Sequence, residues 1–159
     1  MRYLSGGEKK NAIKYIYKAA QAALNSTCYR SKCGSVIVKE NEIIGFGFNS
    51  PPQNKTIDHC FKNDMPVNFK SDKTCCIHAE QRAIIDALRT NPNKIIDSIL
   101  YFIRLNKDNN PTRADKPYCT ICSKLSLDVG IAEFILWQND GICVYDTEEY
   151  NTISFQNLR

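Results

Sequence analysis

No stretch of this 159-residue chain is apolar for long enough to cross a bilayer as a helix, which takes about 20 residues. The opening Met1-Arg2-Tyr3-Leu4-Ser5-Gly6-Gly7 has no apolar core segment, so a secretory leader is not expected there. Internal repeats, low-complexity tracts and Pro/Gly-rich linkers are missing too, which points to one domain spanning 1–159 with a respectable core. Strong charge of either sign is also lacking. A net +4 tolerates anionic small molecules, but it is no nucleic-acid footprint by itself. Cysteine, by contrast, is abundant, with eight residues. Without secretion these are not expected to form a disulfide framework. They fit a reducing cytoplasm, where thiols serve as metal ligands or as small buried hydrophobes.

Ser5-Gly6-Gly7-Glu8 is a capping-box pattern. Behind it Ala12, Ile13, Ile16, Tyr17, Ala20, Ala23 and Leu24 recur at helical spacing, to roughly Asn25. Gly34–Lys39 and Glu42–Asn49 read as a hairpin joined at Glu40-Asn41, with Gly45 and Gly47 marking a bulge or a close approach to the backbone. Residues 53–73 read as a long irregular loop. From His78 onward Ala79, Ala83, Ile84, Ala87 and Leu88 line one helical face, stopped by Asn91-Pro92. Ile99–Leu105 has the look of a central buried strand, and Cys119–Val129 of a third helix ending at Gly130. Glu133–Trp137, the turn Asn139-Asp140-Gly141 and Ile142–Tyr145 predict a last strand antiparallel to its predecessor. The tail from Asp146 is left as a short helix or a surface segment. Strands alternating with helices call for a mixed sheet covered on both faces.

Two short motifs carry the chemistry. His78-Ala79-Glu80 opens one predicted helix, and Pro117-Tyr118-Cys119-Thr120-Ile121-Cys122 opens another. His78, Cys119 and Cys122 suit one tetrahedral Zn²⁺ with its fourth position left for water. Cys119 and Cys122, three apart, fall on one face of a helical turn, and the dipole at a helix start favours their thiolates. A carboxylate two residues from the histidine suits a proton shuttle for that water. A lone C-x-x-C is often a redox pair or half of a structural zinc knuckle. The conjunction with His-x-Glu, each half at a loop-to-helix junction, puts a catalytic zinc ahead of a structural one. The arrangement H-x-E…P-C-x-x-C is the known signature of zinc deaminases.

On these residues the chain resembles the cytidine/deoxycytidylate deaminase superfamily, and most of all its deoxycytidylate branch. Gly34-Ser35-Val36-Ile37-Val38 resembles the family's first strand, and Gly45–Pro51 the segment whose Asn contacts the sugar. His78–Ile84 resembles the zinc and proton-shuttle helix. The resemblance implies a three-layer α/β/α sandwich around a five-stranded mixed sheet. It implies zinc on His78, Cys119 and Cys122, proton transfer by Glu80, ribose contact by Asn49 and base contact by the backbone at Ala79. It further implies hydrolytic release of ammonia from a cytosine nucleoside or nucleotide, foremost dCMP to dUMP, and a homo-oligomer by analogy. The chain departs from the pattern in having Tyr118, where the family usually has Pro, and in its long loop 53–73. The antiparallel last strand looks more like free-cytidine deaminases.

Some deoxycytidylate deaminases hold a second, structural zinc in corresponding segments. By that likeness Cys28, Cys60 and Cys75 or Cys76 would staple the long loop; the alternative is a set of buried, inert thiols. Arg82 falls on the side away from the ligands, as a surface or oligomer contact, while Trp137 and the tyrosines read as core. Alternative functions are deamination of another base (free cytidine, guanine or tRNA adenosine) and a catalytically silent zinc-binding module.

Overall fold

The computed structural model describes residues 1–66 and 74–156, so the second half of the expected loop 53–73 falls largely outside the described residues. The chain runs β1 (Arg2–Tyr3), α1 (Gly6–Ala23), β2 (Lys32–Lys39), β3 (Glu42–Phe48), α2 (Ala79–Thr90), β4 (Ile99–Leu105), β5 (Pro111–Thr112), α3 (Thr120–Asp128), β6 (Glu133–Gln138), β7 (Gly141–Asp146) and α4 (Thr147–Gln156), with short 3-10 turns between some of these elements. The sheet order is β1-β7-β6-β4-β2-β3, with β5 paired to β4. The expected five strands are the long ones; β1 and β5, two residues each, bring the count to seven. Their pairing rests on two residues apiece, too little for a sequence pattern to register. Among the described residues only β4 and β6 run parallel, and the last strand, β7, is antiparallel to β6 as expected.

The two faces of the sheet are filled differently. α1 covers one face, packing Tyr15, Ile16 and Ala19 on Val36, Tyr101, Ile103 and Val144. α2, α3 and α4 share the other, where Ala83, Ile84, Ala87 and Tyr150 meet Ile37, Leu100, Phe134 and Tyr145. This is the three-layer sandwich.

Alternation of β-branched and aromatic residues serves both faces at once. In β4, Leu100 faces the α2 side while Tyr101 and Ile103 face α1. The two-residue turn Glu40-Asn41 has positive φ at both positions (50° and 65°), matching the twist of a tight hairpin.

The glycines of β3 decide how closely α2 can lie. A Cβ on Gly45 would sit 2.5 Å from the Ala83 carbonyl oxygen, and one on Gly47 would sit 2.3 Å from that of Ala79. The sheet register also shifts beside Ile37 and Val38, opposite Gly45 and Ile43. Both readings of this glycine pair, bulge and close approach, therefore hold.

Three details differ from the sequence reading. Ser5 is the N-cap of α1, but its side chain makes no capping bond, and the Glu8 carboxylate, which would have returned the second bond of the box, pairs with Arg2 at 3.0 Å. The buried face of α1 includes Tyr15 and Ala19, while Tyr17 and Leu24 are exposed. Tyr15 is held inside by its hydroxyl donating to the Asn41 carbonyl at 2.8 Å and by its ring against Tyr101. On α2, Leu88 is exposed: the close approach at Gly45 and Gly47 gives the inner face to alanines.

Candidate active site

Two backbone devices place His78. Ser50 and Ile77 form an isolated antiparallel bridge (Ile77 N–H to Ser50 O, 3.0 Å), which pins the segment before α2 to the end of β3. At the helix start the Gln81 side-chain oxygen accepts the His78 N–H at 3.0 Å, while the His78 carbonyl accepts from Arg82. Arg82 is not the surface contact expected from helical phase. Half-buried, it donates to the carbonyls of Ser50 (3.3 Å) and Pro51 (3.0 Å) and lies over the Phe48 ring, tying α2 to the chain leaving β3. The sequence carries no sign of this, since the acceptors are backbone oxygens.

Cys119 is the N-cap of α3, and its sulfur accepts the Cys122 N–H at 3.4 Å. The expected helix start thus survives Tyr118, which lies half out of the cleft as part of its wall. His78 Nδ1 lies 3.3 Å from Cys119 Sγ and 3.2 Å from Cys122 Sγ. Among the described residues these are the only three His, Cys, Asp or Glu side chains whose ligand atoms all lie within 4.8 Å of one another. Tetrahedral zinc with sulfur at about 2.3 Å and nitrogen at about 2.0–2.1 Å would hold its ligand atoms roughly 3.6–3.8 Å apart. The imidazole and each sulfur therefore need to part by only a few tenths of an ångström to accept the ion, and one imidazole with two sulfurs is a borderline-soft donor set suited to it.

The three groups shift one another's protonation strongly. The Cys119 thiol is lowered to about 4, first by its hydrogen bond with Cys122 and then by His78. Its partner Cys122 is pushed well up by Cys119 and by burial. His78 is raised to about 9 by its hydrogen bond with Cys119, against the opposing effect of burial. Glu80 is only 6% exposed, and burial raises its carboxyl, with the Cys119 charge adding to the rise; its side chain is hydrogen-bonded to Cys122. The carboxyl thus sits against the trio, buried in the lining of the cleft.

That cleft has a volume of about 540 Å³ and opens at the carboxyl end of β4, where β5 pairs with Arg104 and Leu105. Phe102 and Leu136 give it apolar walls. Arg30, Lys62, Arg104, Arg113 and Lys116 also line it, against the carboxylates Asp115 and Glu80. Arg113 is stacked on Trp137, 3.5 Å from the ring centroid, so Trp137 is half-buried and carries a cation rather than being wholly core. None of these cations stood out in the sequence, because they come from four separate segments.

Asn49 and Ala79 both line the cleft. The Asn49 side-chain oxygen accepts from Ser26 Oγ (2.8 Å) and the Cys33 N–H (2.7 Å), and its amide nitrogen donates to the Ser31 carbonyl at 2.9 Å. Asn49 therefore organises the loop between α1 and β2. Ala79 is the first residue of α2, and a backbone N–H there has no acceptor within its own helix. Cys28, Cys60, Cys75 and Cys76 also line the cleft, as free thiols. Cys75 contacts Cys60, and Cys76 contacts Cys28; the Cys76 thiol is raised to about 12 by burial and by Cys28. Cys143 is buried in the core, as expected.

A family model described as the cytidine and deoxycytidylate deaminase zinc-binding region matches residues 8–138. The chain belongs to this family. The deoxycytidylate deaminase of Saccharomyces cerevisiae is 30% identical over 130 residues, covering 79% of this chain and 36% of the relative. That of Mycobacterium phage D29 is 30% identical over 125 residues, covering 74% of this chain and 86% of the relative. The matches thus span about a third of the yeast relatives' length, and most of the phage protein's. In fold, the chain is similar to the dCMP deaminase from the cyanophage S-TIM5 (22% identity, TM-score 0.56, 79% of this chain and 80% of that one). It is also similar to a cytidine deaminase from Burkholderia pseudomallei (14% identity, TM-score 0.58, 87% and 94%). The sandwich architecture is therefore that of the family.

Proposed function

We propose that this chain catalyses the hydrolytic deamination of a cytosine nucleotide, converting dCMP to dUMP with release of ammonia. The observation that carries this is the buried Glu80 carboxyl lying against the His78–Cys119–Cys122 group. His78, Cys119 and Cys122 would hold one Zn²⁺, whose contribution is to lower the pKa of a water from about 15.7 to about 7 and so make a nucleophile available at neutral pH. Glu80 takes the proton of the attacking water and delivers it to the ring nitrogen next to the amino-bearing carbon. It then carries the second proton to the departing amine, so that water and cytosine become uracil and ammonia. The positive charge of an ion held by these residues would oppose the effect of burial on Glu80 and favour the ionised form that a base needs. The backbone N–H at Ala79 orients the base. Asn49 offers the sugar its second amide hydrogen, the first being engaged with Ser31.

A phosphate on the substrate is supported by the cations of the cleft. Arg30, Lys62, Arg104, Arg113 and Lys116 outnumber Asp115 near the surface, since Glu80 is buried. A neutral nucleoside has no use for that excess. The deciding test measures ammonia release from cytidine, deoxycytidine, their monophosphates, guanine and tRNA. dCMP should be turned over with kcat/KM at least tenfold above deoxycytidine. Preference for deoxycytidine, or activity only on guanine or tRNA, would overturn the assignment.

The contacts between Cys60 and Cys75 and between Cys28 and Cys76 also support a second, structural zinc. The described thiols stand in pairs rather than as a group of three within 4.8 Å, so an ion would draw the pairs together. Two zinc ions per purified chain would support this second site, and one would remove it.

A further inference from the structure

The segment that carries the family match ends at residue 138, yet two residues of α4, beyond it, grip the first turn of α3 and a third meets the loop before it. Ser123, directly after Cys122, donates from its Oγ to Asn151 Oδ1 at 2.8 Å and lies 3.2 Å from Ser154 Oγ; Ser123 and Ser154 are both buried. Tyr150 does the same for the loop. It is 4% exposed, lines the cleft, and its hydroxyl meets the backbone of Tyr118, the residue before Cys119. The ring cannot drift. It stacks on Phe134 of β6 (centroids 4.0 Å apart, planes at 23°) and meets Tyr145 of β7 edge-on at 5.8 Å and 90°. Thus the residue before the first cysteine ligand and the residue after the second are both anchored to one helix, which in turn is anchored to the sheet.

We propose that α4 is a splint for the cysteine ligand pair, with Tyr150 as its principal positioning residue and Asn151 as the second. Neither side chain is placed as a ligand or on the reacting atoms. They act by fixing the backbone from which Cys119 and Cys122 present their sulfurs, so that the pair meets His78 without reorganisation. Outer partners of this sort are worth about 10- to 100-fold in metal affinity. The inference rests on the reading of His78, Cys119 and Cys122 as a zinc site.

The experiment is a chelator competition for Zn²⁺ on the full chain, comparing wild type, Tyr150→Phe, Asn151→Ala and the control Tyr15→Phe. Tyr15 also loses a hydroxyl hydrogen bond, to the Asn41 carbonyl, but on the opposite face of the sheet. The splint predicts that Tyr150→Phe weakens zinc binding about 10- to 100-fold and Asn151→Ala weakens it measurably. Tyr15→Phe should stay within twofold of wild type even where its Tm falls. In the zinc-saturated Tyr150→Phe enzyme, kcat should drop while KM stays within twofold, because the phosphate and sugar contacts lie elsewhere. Zinc affinities within twofold of wild type in both α4 variants would overturn the proposal, as would an equal loss in Tyr15→Phe. Should Tyr150→Phe fail to fold, Asn151→Ala decides alone. If wild type itself takes up no zinc, the reading of the metal site has failed, an outcome distinct from intact zinc binding in all variants.

Discussion

At the scale of single residues, the His78–Cys119–Cys122 trio is a proton store. His78, raised to about 9, and Cys122, raised well above the ordinary thiol range, both hold their protons at pH 7, while Cys119, lowered to about 4, has already lost its own. Zinc ligation needs a neutral imidazole and two thiolates. Uptake at pH 7 must therefore expel at least two protons, one from His78 and one from Cys122. The sign follows directly: each released proton favours binding as pH rises. Between about pH 5 and 8, affinity should then climb by about tenfold per proton, roughly a hundredfold per pH unit. Calorimetry in two buffers of different ionisation enthalpy measures the release. A pH-independent affinity, or release of less than one proton, would contradict the assignment.

The elements matter because they bring the two helix starts together, and β3 sets the spacing. Gly47 lies against the first turn of α2, where Ala79 and Glu80 sit. Gly47→Ala would place a methyl 2.3 Å from the Ala79 carbonyl oxygen and 2.4 Å from the Ala83 amide nitrogen, both backbone atoms that cannot swing aside. The expected cost is about 1–3 kcal/mol, as for other overpacked cores. Activity should fall further than that stability loss explains, because the displaced turn carries Glu80. Thermal unfolding beside dCMP turnover checks this, and a variant with wild-type Tm and activity would refute the close approach.

These elements also show what the amino-acid order can and cannot reveal. That His78, Cys119 and Cys122 gather beside Glu80 was legible because each half of the signature is local, three or four residues long, at a helix start. Gly45 and Gly47 were legible as an anomaly within a strand. Arg82 was not, because its acceptors are the backbone carbonyls of Ser50 and Pro51, more than thirty residues away. Nor was Tyr150, whose place beside the ligands depends on α4 folding back across β6 and β7 onto α3. Tyr15 and Ala19 were missed for a simpler reason: α1 is rich in alanine, so several faces look equally apolar until one tyrosine finds its acceptor.

For the whole molecule, the division of labour between the two faces of the sheet has a measurable consequence. The α1 face is an apolar core, whereas the α2–α3 face ends in a cleft where buried ionisable groups face one another. Zinc binding only the native state stabilises it by mass action, about 4 kcal/mol at a thousandfold excess over Kd. Removing zinc with a chelator should lower Tm by several degrees without abolishing cooperative unfolding. Loss of all cooperative folding would mean that the metal, rather than the α1 core, holds the sandwich together. Among the described residues no helix is long and apolar enough to cross a membrane, in line with the short apolar runs of the sequence.

The central claim is that the carboxyl of Glu80 moves the protons of the reaction. The most direct measurement compares zinc content and ammonia release from dCMP in wild type and Glu80→Gln, which keeps the shape of the side chain and removes its basicity. The account predicts one equivalent of zinc at the His78–Cys119–Cys122 group in both proteins, an unchanged fold, and turnover lowered by at least about 10²–10⁴ in the variant. Zinc retained together with turnover within tenfold of wild type would contradict it.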